Sequence, residues 1–210
     1  MVGNDIVDLG DPDADSTRYS ARFDARVFTR AERRAIANSA SGERERWRLW
    51  AAKEASYKLA RRRDCKTVFS PRAFAVGPDE GGRANRARVA HADTAYYIEF
   101  DETPERIHAV AVSSPNDFAS VLTGVEGVMQ DTQAETNPGR TGESEAVRRL
   151  ACDAISQRFE LPRDQLAFRK LEDRVPRLYR GDEFLALSVS LSHHGRWLAF
   201  ACRQGEDGGA

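Results

Sequence analysis

The sequence lacks several features that would place it in a broad class of protein at once. No apolar run approaches the length that spans a bilayer, so we expect no membrane protein. The formal net charge of the 210 residues is −1, so we expect no general attraction to nucleic acid or to membranes. The first residues show neither the basic region nor the apolar region of a signal peptide.

Cysteine is scarce, and its spacing does not suggest a disulfide framework. Cys65, Cys152 and Cys202 are odd in number, lie far apart and form no C-x-x-C pair. With no leader sequence, they predict reduced thiols in a cytoplasmic protein. The chain also has no serine-hydrolase elbow, P-loop or dinucleotide-binding glycine pattern, so none of these motifs assigns an activity.

Lysine is scarce as well, with four residues against 28 arginines, yet Lys53 and Lys58 both lie within residues 50–58. The pattern predicts a helix over 43–62, in which Glu54 and Lys58 share one face. The apolar members of that face are Trp47, Trp50, Ala51, Ala55 and Tyr57. An isolated Glu–Lys pair is usually a surface salt bridge. Burying both charges costs several kcal/mol per ion, which favours a functional site here.

The other elements follow from periodicity and turn residues. We predict a strand over 2–9 and a helical segment over 22–38 that is interrupted by a capping sequence at Thr29. A further helix is expected over 145–159. The remaining predicted strands are 74–76, 87–90, 96–100, 107–113, 166–170, 185–192 and 197–203, and the segments 96–100 and 108–112 are expected to form an antiparallel hairpin.

Two further groups of residues suggest chemistry. In the first strand, Asp5 of Gly3-Asn4-Asp5 is either a ligand of a hard cation or an acid that caps a turn, and the second is more common for an isolated Asp. The second group is the segment 190–197, which contains His193 and His194. Two histidines without a third ligand make a poor zinc site. A histidine at a strand end is more often structural, or a donor to phosphate, than a catalytic base.

Together these motifs resemble those of the 4′-phosphopantetheinyl transferases. The family signature is a G-x-D strand followed by W-x-x-K-E-x-x-x-K, which matches Gly3–Asp5 and Trp50–Lys58 at every position. Residues 26–32 resemble the family element R-x-F-(S/T)-x-x-E, and residues 190–193 resemble its S-L-S-H turn. The resemblance covers nearly the whole chain outside residues 126–144.

The resemblance implies an α+β fold of two similar lobes, each a small antiparallel sheet packed on helices. The motif order is reversed relative to the two-lobed members, so we infer a circularly permuted, monomeric member. The expected parts are a lobe with the metal and K-E motifs over 1–125, a linker over 126–144 and a lobe with the S-L-S-H motif over 145–210.

The implied activity is transfer of 4′-phosphopantetheine from coenzyme A to a serine of an acyl, polyketide or peptidyl carrier protein, with release of 3′,5′-ADP. Asp5 and Glu54 are the expected ligands of Mg²⁺, a cation that suits carboxylates, waters and phosphate oxygens. Glu54 would also accept the serine proton, and Lys58 would offset the pyrophosphate charge and protonate the leaving phosphate. Glu54 and Lys58 are therefore the expected catalytic residues.

The resemblance also implies a set of contacts to coenzyme A. The expected residues are Lys53, Lys58, Arg174, Arg177, Ser192 and His193. The chain departs from the family at two positions. Val7 stands where two-lobed members carry a third acid, so a water is expected as the third metal ligand, since Asp8 should face the other side of the strand. Val175 stands where a lysine is usual.

Neither the carrier protein nor its pathway follows from the sequence. The expected docking patch combines basic and apolar side chains, namely Arg22, Arg26, Arg30, Phe23 and Phe28. One alternative function is a non-catalytic relative that binds coenzyme A or a carrier protein. Another is an interaction module whose charged helix only packs its tryptophan side, which predicts no magnesium dependence.

Overall fold

A computed structural model describes residues 1–15, 18–128, 141–170 and 175–205. In this part of the chain every strand pairing is antiparallel, and helices pack on the sheets. The α+β class predicted from the sequence is therefore confirmed. None of the described helices is both long enough and apolar enough to cross a membrane.

The first part of the chain builds a five-stranded sheet with three helices. Its elements are β1 (Val2–Asp8), α1 (Ala21–Val27), α2 (Arg30–Asn38), α3 (Gly42–Arg63), β2 (Ala75–Pro78), β3 (Arg86–His91), β4 (Thr94–Glu102) and β5 (Arg106–Val112). The strand order is β1-β5-β4-β3-β2, so β1 lies at one edge. The predicted hairpin is confirmed as the pairing of β4 with β5.

The predicted interruption near Thr29 is the boundary between α1 and α2. The Thr29 side chain accepts a hydrogen bond from the Glu32 N–H, and the Glu32 carboxylate accepts one from the Thr29 N–H. This capping box satisfies two backbone donors at the start of α2, which explains why the chain turns there and begins a new helix.

The signature glycine of β1 allows α3 to pack directly on the strand. A Cβ atom at Gly3 would lie 2.1 Å from the carbonyl oxygen of Ala55 and 2.8 Å from the Leu59 nitrogen. Only a residue without a side chain allows this close approach. The glycine therefore sets the distance between Asp5, two residues further along β1, and the polar residues of α3.

The second part of the chain builds two three-stranded sheets with one helix. Its elements are β6 (Leu122–Gly127), α4 (Thr141–Phe159), β7 (Leu166–Lys170), β8 (Pro176–Arg180), β9 (Glu183–Phe184), β10 (Leu187–His194) and β11 (Trp197–Gln204). The sheet orders are β10-β11-β6 and β7-β8-β9. Ile155 of α4, Leu178 of β8 and Phe200 of β11 belong to the core between them.

Three of these strands, β6, β8 and β9, were not predicted. β6 contains two glycines in six residues, which weakens its strand pattern. Gly124 is required because a Cβ atom there would lie 2.3 Å from the Phe200 ring. Residues 126–127 therefore lie in a strand and 141–144 in a helix, although we expected a linker over 126–144; residues 129–140 lie outside the described part. The division into two lobes stays a prediction.

The edge strands β1 and β10 lie side by side without regular sheet pairing. Instead, alternate N–H groups of β1 donate to alternate side chains of β10. The four bonds are Val2 N to Ser188 Oγ (3.0 Å), Asn4 N to Ser190 Oγ (3.0 Å), Ile6 N to Ser192 Oγ (3.2 Å) and Asp8 N to His194 Nδ1 (3.0 Å). This side-chain ladder joins the two parts of the chain.

Candidate active site

A cleft of about 450 Å³ opens where β1, α3 and β10 meet. Five residues that the sequence singled out line it together: Asp5, Glu54, Lys58, Ser192 and His193. Asp5 comes from β1, Glu54 and Lys58 from consecutive turns of α3, and Ser192 and His193 from the end of β10. The side-chain ladder and the Gly3 contact hold these three elements in register.

Asp5, Lys58 and Ser192 form one hydrogen-bonded group. The Lys58 Nζ donates to Asp5 Oδ1 at 2.8 Å. The Ser192 Oγ donates to the same carboxylate oxygen at 2.9 Å, and it lies 3.2 Å from Lys58 Nζ. Asp5 and Ser192 are 7% and 6% exposed, so water screens this group weakly.

The charges in the cleft alter the pKa of Glu54. Burial and the negative charge of Asp5 raise the pKa of this carboxyl to about 7, although the ammonium group of Lys58 opposes them. In the described residues no hydrogen bond joins the Glu54 carboxylate to another side chain. Glu54 is therefore a carboxyl group that can gain or lose a proton near neutral pH.

Lys58 keeps its proton more firmly than an ordinary lysine. Burial lowers the pKa of this amine, but the carboxylates of Asp5 and Glu54 and the hydrogen bond to Asp5 outweigh that effect and raise it. Lys58 therefore supplies a permanent positive charge at the cleft, together with a proton that an anionic group could accept.

The donor set fits a hard divalent cation with few protein ligands. Asp5 and Glu54 supply carboxylate oxygens on adjacent elements. Burial, and after it the negative charge of Asp5, raises the pKa of Glu54, and a bound cation would offset both effects. In the described residues no cluster of three or more His, Cys, Asp or Glu side chains could hold a metal ion. Val7 lines the same cleft and offers no donor.

Asp8 is occupied elsewhere. Its carboxylate accepts hydrogen bonds from Arg196 Nη2 (2.8 Å), Arg196 Nε (2.9 Å) and the Gly10 N–H (2.9 Å). Burial would raise the pKa of Asp8, but the Arg196 bonds lower it to about 2. Asp8 thus anchors the turn between β10 and β11. This agrees with its place three residues after Asp5, because side chains an odd number of residues apart lie on opposite faces of a strand.

Lys53 does not reach the cleft, so the expected phosphate contact has to be corrected. Its side chain is 0% exposed, and Nζ donates to Glu32 Oε1 (2.8 Å), to the Phe74 carbonyl (2.6 Å) and to the Pro71 carbonyl (3.1 Å). All three donors of the ammonium group are used inside the protein. Lys53 therefore holds α3 to α2 and to the segment before β2.

Of the three remaining residues that were expected to contact coenzyme A, only His193 lines the cleft among those that the structure describes. His193 lines the cleft, and its Nδ1 lies 3.0 Å from Glu143 Oε2 at the start of α4. Arg177 lies half-buried on β8 and does not line the cleft. Arg174 lies outside the described residues.

Sequence reasoning missed part of the cleft wall. Tyr19 and Phe23 line it beside Trp47 and Trp50, and the rings of Tyr19 and Trp47 lie 5.4 Å apart, edge to face. No helical spacing could have indicated this pair, because Tyr19 precedes the N-cap Ser20 of α1. His194 also lines the cleft, and its Nδ1 accepts the Asp8 N–H, which assigns its neutral form a proton on Nε2.

These residues give the cleft the character of an enzyme active site, because three carboxylates, a protonated lysine and two histidines line one opening in an α+β fold. The carboxylates are those of Asp5, Asp13 and Glu54. The sequence model of the 4′-phosphopantetheinyl transferase superfamily matches residues 1–113, which is more than half of the chain. The chain therefore belongs to the 4′-phosphopantetheinyl transferase superfamily. Comparison with curated proteins gives no match. The matched region contains Asp5, Glu54 and Lys58, whereas Ser192 and His193 lie beyond it.

Proposed function

We propose that the protein transfers the 4′-phosphopantetheine group of coenzyme A to a serine of an acyl, polyketide or peptidyl carrier protein. The reaction depends on Mg²⁺ and releases 3′,5′-ADP. The observation that carries this proposal is the meeting of Asp5, Glu54 and Lys58 in one cleft. Membership of the superfamily supports the class of reaction.

In this reaction the serine oxygen forms a bond to the pyrophosphate phosphorus on the pantetheine side. The bond from that phosphorus to the bridging oxygen breaks, and the electron pair leaves with 3′,5′-ADP. Such a transfer needs charge neutralisation and alignment more than covalent help from the protein. The residues of the cleft match these needs, because Lys58 is a cation and the carboxylates of Asp5 and Glu54 would hold a second one, the Mg²⁺ ion.

Glu54 takes the serine proton. The pKa of Glu54 is raised to about 7 in the metal-free protein, and a Mg²⁺ ion beside it would lower that pKa, so that the carboxylate would be in its proton-accepting form at neutral pH. No hydrogen bond to a described side chain occupies its carboxylate, so it is available to an incoming hydroxyl. Asp5 is less suited to this role because one of its oxygens accepts from both Lys58 and Ser192.

Lys58 acts on the phosphate side. Its raised pKa keeps it protonated, so its charge offsets that of the pyrophosphate and it can hydrogen-bond the leaving oxygen. Asp5 and Glu54 would hold Mg²⁺, which when bound neutralises further pyrophosphate charge. We propose two protein ligands because Val7 offers none and Asp8 is bonded to Arg196.

The carrier protein would dock beside the cleft on α1 and α2. Arg22, Arg26 and Arg30 are exposed there, and Phe23 lines the cleft. The acids of these helices are already paired, because Asp24 bonds Arg46 and Glu32 bonds Lys53. Their charge therefore does not offset the three arginines, which suits an acidic partner. Phe28 is fully buried and has to be removed from the expected patch.

The deciding experiment is to incubate the protein with coenzyme A, Mg²⁺ and several apo carrier proteins and to weigh the carriers. We expect a mass gain of one phosphopantetheine group that is lost in Glu54→Ala and reduced in Asp5→Ala. Glu45→Ala is the matched control, since Glu45 lies on the same helix outside the cleft.

The experiment can also fail in informative ways. Binding of coenzyme A without any mass gain would favour the non-catalytic relative. An undiminished gain in Glu54→Ala would remove that residue from the mechanism.

A further inference from the structure

We infer that Ser192 is a positioning residue that orients the Asp5 carboxylate and makes no contact with the phosphates of coenzyme A. This inference rests on the proposed function, because the proposed function makes Asp5 a ligand of Mg²⁺. It replaces the expectation that Ser192 donates to a phosphate.

The argument starts from the hydrogen-bonding capacity of one hydroxyl group, which has one proton and two acceptor positions. The Ile6 N–H at 3.2 Å is a donor, and the ammonium group of Lys58, also at 3.2 Å, can only donate. These two groups fill both acceptor positions of Ser192 Oγ. The proton is left for Asp5 Oδ1 at 2.9 Å, which can only accept. No donor remains for a phosphate.

The same bonds divide the two oxygens of Asp5. Lys58 and Ser192 both donate to Oδ1. Among the described residues, none donates a hydrogen bond to Oδ2. Ser192 and Lys58 thus fix the carboxylate through one oxygen and leave the other as the ligand for the cation. Partners of this kind orient a metal ligand, and their loss typically weakens metal binding 10- to 100-fold.

The ladder provides an internal comparison. Ser190 also lies on β10, is 2% exposed and accepts the N–H of Asn4 at 3.0 Å, just as Ser192 accepts the N–H of Ile6. Ser190 is not bonded to Asp5 or Lys58 in any of the described contacts and does not line the cleft. Loss of either hydroxyl leaves one buried N–H of β1 without a partner, so the structural effect is similar. Only Ser192 is connected to the carboxylate.

The test uses the full-length protein and Mn²⁺ as a spectroscopic probe for the cation, titrated in the presence of 3′,5′-ADP. We expect Ser192→Ala to weaken Mn²⁺ binding roughly 10- to 100-fold. Ser190→Ala should leave Mn²⁺ binding close to that of the wild type although it loses similar thermal stability. Ser192→Thr keeps the hydroxyl and should restore binding. Affinity for coenzyme A without metal, measured by calorimetry, should not change in Ser192→Ala.

Three results would overturn the inference. One is an equal loss of Mn²⁺ binding in Ser190→Ala and Ser192→Ala, which would make the role merely structural. Another is weaker metal-free binding of coenzyme A in Ser192→Ala with intact Mn²⁺ binding, which would restore the phosphate contact. The third is absence of Mn²⁺ binding in the wild type. If the wild type binds Mn²⁺ but modifies no carrier, the proposed function fails while the ordering of these variants still decides the role of Ser192.

Discussion

The Nζ atom of Lys53 lies 2.8 Å from Oε1 of Glu32, and the two side chains are 0% and 1% exposed. Glu32 also accepts the backbone N–H groups of Thr29 and Val76, at 2.6 Å and 2.7 Å. Lys53 of the W-x-x-K-E motif and Glu32 of the R-x-F-(S/T)-x-x-E element thus meet inside the protein, and their bonds connect α2, α3 and β2. Lys53, the neighbour of Glu54 in the sequence, therefore stabilises the packing of α3 and does not face the cleft.

Lys53→Met should therefore act on stability. We expect the free energy of unfolding to fall by about 3–5 kcal/mol, because the Glu32 carboxylate is left buried without its cation. Urea unfolding at neutral pH measures this. The double variant Lys53→Met/Glu32→Gln should lose less than the sum of the single variants, since it removes the uncompensated charge. Unchanged stability with weaker binding of coenzyme A would instead restore the phosphate contact.

Gly3→Ala should disrupt the packing of β1 on α3. The new Cβ would lie 2.1 Å from the Ala55 carbonyl, so strand and helix must separate. We expect a loss of about 3 kcal/mol or more in stability, together with loss of carrier modification. Gly77→Ala is the matched control, because its Cβ would meet nothing closer than 4.0 Å. Equal thermal unfolding temperatures for the two variants would contradict the proposed role of Gly3.

Glu54 should make the metal-free protein less stable as pH rises. Its pKa is about 7 in the folded protein and 4.5 when unperturbed, so the folded state keeps a proton that the unfolded state loses between these values. The contribution of Glu54 to the free energy of unfolding therefore falls from about pH 4.5 to about pH 7 and then levels off. The buried His108, whose pKa burial lowers to about 4, contributes the opposite slope below pH 6.5, so the Glu54 effect is read from the difference between two proteins that both keep His108. Glu54→Gln removes this titration, so its stability advantage over the wild type should grow across that window. Thermal unfolding in a chelator-containing buffer measures both proteins. An advantage that stays constant with pH would contradict the raised pKa.

Lys58→Met should change both the rate and the pH profile of carrier modification. Loss of the cation that faces the pyrophosphate should lower the rate on the order of 100-fold. The charge of Lys58 also lowers the pKa of Glu54, so removing it should move the acidic limb of the rate profile to higher pH. Lys66→Met, an exposed lysine outside the cleft, should leave both unchanged. If the rate falls but the acidic limb of the pH–rate profile does not move, Lys58 acts on the phosphate and does not influence the pKa of Glu54.

Replacing Arg22, Arg26 and Arg30 by Glu should weaken the interaction with the carrier protein. We expect KM for the carrier to rise roughly tenfold or more with little change in kcat, because these side chains attract the partner without touching the reacting atoms. The difference should shrink at high salt, which screens exposed charges. Arg83→Glu, an exposed reversal outside α1 and α2, serves as the control. A salt-independent effect would argue against electrostatic docking.

Local patterns were sufficient for much of the fold. The capping box at Thr29, the long helix that became α3 and the hairpin of β4 and β5 all followed from nearby residues, and each is confirmed. The prediction failed for β6, whose Gly124 lies against the Phe200 ring and whose Gly127 lies against the Trp197 ring of β11, a strand that is distant in sequence. Such a requirement lies in the partner strand and leaves no local pattern.

The sequence by itself determined the helices, most of the strands, the superfamily and the residue types that could serve a phosphate and metal site. Only the tertiary structure decided which of them face the cleft. Lys53 and Lys58 lie five residues apart on one helix, which turns them roughly 140° from each other. Helical spacing alone does not say which of these faces another element will cover. Packing of α2 buries Lys53, while β1 and β10 bring Asp5 and Ser192 to Lys58.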